Sequence, residues 1–88
     1  MSALTDFVEQ ENRWGAIFNR PPLSLAIAKD RQEIAGRIDS QLSPENLTCD
    51  GELRGSAVRD KYRRLTTAAI QLKKVDPDVT FYEFSEGV

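Results

Sequence analysis

The sequence predicts an all-α fold: an antiparallel helical hairpin with a packed N-terminal helix and an extended C-terminal tail. Three observations carry this. Apolar residues recur at helical spacing in three separate stretches. Prolines stand at the breaks between stretches, at Pro21-Pro22, Pro44 and Pro77. The second and third stretches are joined by a short connection, which makes consecutive helices antiparallel neighbours.

The first helix is expected over 4–18. Leu4, Phe7, Val8, Trp14, Ile17 and Phe18 fall near helical spacing, and Ser2 is placed to cap the N-terminus. Phe7, Trp14 and Phe18 are read as core aromatics. The residues before Pro21 end the helix, because a residue preceding proline is pushed out of the helical region. The second helix is expected over 23–41, with Leu23, Ile27, Ile34, Ile38 and Leu42 on one stripe and Ala26 and Ala35 at its margins. Glu33 and Arg37, four apart, form a favourable surface pair.

The connection Ser43-Pro44-Glu45-Asn46-Leu47-Thr48-Cys49-Asp50-Gly51-Glu52 contains a cap-plus-proline start at Ser43-Pro44 and a turn signal at Asp50-Gly51. The third helix is expected over 53–75. Val58, Tyr62, Leu65, Ala69 and Leu72 are spaced four, three, four, three, which keeps them on one narrow seam. Asp60 and Arg64 are placed for a second ion pair. Pro77 ends the helix. In the tail, 78–88, Val79 to Phe84 has strand-like composition, but one strand cannot satisfy its own edges. The tail therefore docks on the helices, pairs with a partner or stays extended.

With 88 residues the chain has room for one domain, 1–88, and a thin core. Cys49 is the only cysteine and there is no histidine, so an internal disulfide is impossible and a four-ligand zinc site is not expected. The N-terminus has no basic and apolar segments of a secretory signal, and no uncharged apolar run is long enough to span a bilayer. With a lone cysteine, this points to a reducing, cytoplasmic setting and no membrane partner. Asn46-Leu47-Thr48 matches a glycosylation sequon, which has no use without export.

No catalytic signature emerges, and neither an enzymatic activity nor a cofactor is expected. In the 46–57 loop, an EF-hand register with Gly51 at position six puts Ala57 where a bidentate Glu is required, so the loop reads as an interhelical turn. Cys49 lacks a histidine base, and Asp50 beside it disfavours the thiolate, so it reads as a small apolar residue. The carboxylates have the spacings of solvated helix faces. Gly51 and Gly55 fit neither phosphate-binding glycine motif.

Charge is more informative. The net charge is -2, but residues 54–74 hold seven bases and one acid, between an acidic N-terminal part and an acidic tail. Such a helix attracts a polyanion or its own chain. Arg59, Arg63, Lys73 and Lys74 are the candidate polyanion contacts. A groove-reading helix gathers its bases opposite the core; here they read as straddling the seam, which favours a solvated flank over nucleic acid. Tail residues Phe81, Tyr82 and Phe84 are the candidate partner contacts, with alternation placing Tyr82 and Phe84 on one side and Phe81 on the other.

The run Leu42 to Glu52 between two charged helices resembles connections in small uncharacterised bacterial and prophage-encoded helical proteins. The resemblance covers roughly residues 34–65. It implies a bacterial or phage origin and brings no activity or functional residues. The expected function is a non-enzymatic protein-interaction module, either a homodimer or a small accessory or regulatory subunit, binding through apolar surface that so short a chain leaves uncovered. The alternative is a nucleic-acid-binding regulator using the basic third helix.

Overall fold

The computed structural model describes residues 2–43 and 56–84. Among these residues three helices pack into a compact all-α globule: α1 (Ala3–Ile17), α2 (Ala28–Leu42) and α3 (Ser56–Val75). Helix α3 is central, and both α1 and α2 pack against it. Beyond Ser43, the connection read above for a cap, a turn, a calcium loop and Cys49 lies outside the described residues as far as residue 55.

Helix α1 starts where its cap predicts. Ser2 is extended, and its hydroxyl accepts the Thr5 N–H at 3.1 Å. The C-terminus is a Schellman arrangement: the Asn19 N–H reaches the Ala16 carbonyl and the Arg20 N–H reaches the Gly15 carbonyl at 2.8 Å. Asn19 supplies the left-handed residue, with φ 59°. Leu4 and Val8 enter the core, with Phe7 half-buried beside them.

Helix α2 begins at Ala28 rather than Leu23. The Asn12 side-chain amide takes both backbone groups of Leu23, donating to its carbonyl at 3.0 Å and accepting its N–H at 2.7 Å. The Asp30 carboxylate accepts the Ser24 N–H at 2.9 Å. These bonds hold the Pro21-Pro22 segment as a strap returning along α1, and the helical stripe of Leu23 and Ile27 is broken. Leu23 still packs on the core from the strap, whereas Ile27 is exposed. Ile34, Ala35, Ile38 and Leu42 form the buried face.

Arg31 near the start of α2 pairs with Asp76 just past the end of α3, at 2.8 Å, which fixes the two helices as antiparallel. The α3 core face is Leu65, Ala68, Ala69 and Leu72. It is broader than the predicted seam, because α3 must meet two helices rather than one. Ala68 joins the core, and Tyr62, read onto the seam, is half exposed. Glu33 and Arg37 pair at 3.3 Å, and Arg37 also reaches Glu11 on α1. Arg64 lines a cleft beside α1 instead of pairing with Asp60.

The tail docks without forming a strand among the described residues. Val79 is buried in the core. The Gln32 amide accepts the Thr80 N–H at 3.1 Å and donates to the Thr80 carbonyl at 3.3 Å. The buried Asp39 carboxylate then accepts three successive N–H groups, from Tyr82, Glu83 and Phe84, at 2.8, 2.7 and 3.0 Å. Side chains of α2 thus take the place of a neighbouring strand.

Candidate interaction surfaces

The two best-connected carboxylates are committed to architecture. Asp39 is consumed by the tail. Asp76 accepts from Arg31 and, through its other oxygen, from the Asp78 N–H at 3.0 Å. The Arg31 hydrogen bond, then the Asp78 N–H, hold its carboxyl below the usual value of 3.8. Among the described residues no three metal-ligating side chains converge, and no helix is long and apolar enough to cross a membrane. A cleft of about 400 Å³ lies between α1 and α3, with Phe7 and Leu65 on its floor and Gln10, Lys61 and Arg64 at its rim. Its carboxylate, Asp6, is exposed, so the cleft offers no buried acid for proton transfer.

Of the tail residues, Phe81 and Phe84 lean inward. They are half-buried against the core and meet edge-to-face, centroids 5.3 Å apart. Tyr82 points away and is 90% exposed. The expected alternation places Tyr82 with Phe84; instead Phe81 and Phe84 share a side. The three N–H groups turned onto Asp39 curl the chain and break the two-residue period.

The basic residues of α3 are better placed than their spacing suggests. Arg59, Arg63 and Lys74 are exposed, on the side of α3 away from Leu65, Ala68, Ala69 and Leu72. The widening of the core face toward Ala68 moves them from its flank to its back. Lys73 is occupied at the helix end, donating to the Pro77 carbonyl at 3.1 Å.

The largest departure from expectation is at the end of α1. Trp14 and Phe18, read as core, are 56% and 62% exposed, and Ile17, on the same apolar stripe, is 68% exposed. The core-facing stripe of α1 stops at Val8. In the next turn Glu11 bonds Arg37 and Gln41, and Asn12 holds the strap. The strap covers Gly15, whose position would set a Cβ 3.4 Å from that of Arg20, and leaves the aromatic flank open. Trp14, Ile17 and Phe18, three and four apart, share that flank. The Arg20 guanidinium lies 5.3 Å from the centre of the Phe18 ring. Periodicity could not separate this flank from a core face; the polar pair Glu11-Asn12 interrupting the stripe was the available signal.

Among the described residues, fold and surface together define three packed helices with an exposed aromatic-aliphatic patch at one end and a basic face along the central helix. No family model, curated protein or solved structure matches the chain.

Proposed function

We propose that this chain is a non-enzymatic protein-interaction module, an accessory subunit that docks through Trp14, Ile17 and Phe18 onto an apolar surface rimmed by acidic residues. The observation that carries this is the exposure of three bulky apolar side chains on one helix flank, in a chain with a thin core. Aromatic anchors of this kind dominate binding energy when a partner desolvates them. The rim chemistry follows from charge. Residues 12–29 contain Arg13, Arg20 and Lys29 and no carboxylate, and the two carboxylates that share a hollow with Arg20, Glu11 and Glu33, are both paired with Arg37. Pairing this patch with itself in a second copy would bring like charges together. An acidic rim would meet them instead, so a different partner suits the patch better than a homodimer.

Trp14 is the only tryptophan, so its emission reports on the patch directly. The test is titration with an amphipathic helical peptide carrying a leucine face flanked by glutamates. A saturable blue shift is expected, lost in Ile17→Ser/Phe18→Ser and absent with the lysine-flanked peptide. No shift, or an equal shift with both peptides, overturns the reading. A blue shift that grows with protein concentration alone, together with a doubled mass in light scattering, would replace the accessory partner by a second copy.

A further inference from the structure

We infer that the outward face of α3 is a phosphate-binding surface for double-stranded DNA, independent of the α1 patch. Arg59, Arg63 and Lys74 are exposed on the back of the helix, and Thr67 and Ile70 continue the same face at spacings of four, three and four. None of the three cations lies within ion-pair distance of a described carboxylate, whereas Arg31 and Arg37 are both paired. Asp60 is the single acid in α3. The chain is acidic overall, yet among the described residues these three charges have no acidic partner and stand together on one helix.

The geometry suits a duplex. From Arg59 to Lys74 the helix rises about 22 Å, at roughly 1.5 Å per residue. Duplex DNA presents a phosphate charge about every 1.7 Å along its axis, so a linear set of cations on a rigid helix meets several phosphates without ordering a flexible chain. The face carries three exposed cations, with half-buried Thr67 and Ile70 between Arg63 and Lys74, and no row of the aromatic rings that single-strand binding uses as stacking platforms. Contacts of this type hold the backbone and carry no base readout.

The test is fluorescence anisotropy with a labelled duplex of about two helical turns, across a salt series starting near 20 mM. Three phosphate contacts predict a slope of log K against log salt of about -3. Replacing Arg59, Arg63 or Lys74 singly by Gln should reduce that slope by about one each, and the triple variant should abolish binding at low salt. Glutamine keeps helix propensity at exposed positions, and unchanged circular dichroism would confirm that folding is not the cause. Trp14 emission should not move on DNA addition, so failure here leaves the α1 reading untouched. The inference is overturned by no anisotropy change at the lowest salt or by a slope the triple variant retains. Tighter binding to a single strand of equal length would also overturn it, as would tighter binding to phosphatidylglycerol vesicles.

Discussion

Asp39 and Asp76 show how two carboxylates can do the work of missing secondary structure. Asp39 satisfies three consecutive N–H groups that would otherwise lose their water as the tail docks. Hydrogen bonds to a charged acceptor contribute more than neutral ones. Asp39→Ala should therefore cost about 2–4 kcal/mol in urea unfolding, with amide exchange at 82–84 accelerating before the helices open. Protection at those amides equal to that of the parent protein would show that Val79, the packed Phe81 and Phe84 and the Gln32–Thr80 bonds hold the tail without Asp39. The hydrogen bonds to Asp76 from Arg31 and the Asp78 N–H lower its carboxyl pKa. A depressed folded value means that the stabilisation is present above the unfolded pKa near 3.8 and is lost as pH falls through the lower folded value. Unfolding measured from pH 5 downward should thus show a loss of stability, setting in around and below that point, that is smaller in Asp76→Asn. An identical acid limb in both proteins would mean the Arg31 contact contributes nothing to folding.

At the scale of elements, the strength of each sequence signal decided what could be read in advance. The third helix was legible because Leu65, Ala69 and Leu72 are fixed by period and Pro77 stops the chain. The Ser2 cap was legible because serine before an apolar repeat has one obvious use. The start of α2 was not, since Leu23 and Ile27 continue the helical period perfectly and only the distant Asn12 amide diverts them. The same long-range problem left three alternatives open for the tail, docking among them: Gln32 and Asp39 look like ordinary polar helix positions until Thr80 to Phe84 arrive beside them. The α1 patch was misread because exposed and buried aromatics share one period. Two substitutions test the local physics. Gly36 sits in mid-helix, and a Cβ there would meet nothing within 4 Å. Gly36→Ala should raise stability by about 0.5–1 kcal/mol, readable as an increase in Tm without change in the urea slope. Asn19 holds the left-handed position closing α1; Asn19→Gly should be neutral or slightly stabilising, while Asn19→Val should lose about 1–2 kcal/mol.

For the whole molecule, the same central helix that organises the core also divides the surface. Helices α1 and α2 cover two sides of α3 and the tail packs on α2; among the described residues the basic back of α3 and the apolar end of α1 are exposed. A short chain reaches this arrangement with small residues, Ala35, Ala68 and Ala69, at its centre and its largest side chain, Trp14, outside. That inversion makes a sharp stability prediction. Were Trp14 and Phe18 core residues, removing both would cost well over 3 kcal/mol, the usual result of truncating a buried aromatic. Since each is more than half exposed, Trp14→Ser/Phe18→Ser should lose only about 1 kcal/mol and keep its helical circular dichroism. Leu72→Ala, at a fully buried position, should lose about 2–5 kcal/mol in the same urea titration. If instead the double serine variant unfolds as readily as Leu72→Ala, the end of α1 closes onto the body of the protein in solution. The aromatic patch would then be part of the core rather than a surface awaiting a partner.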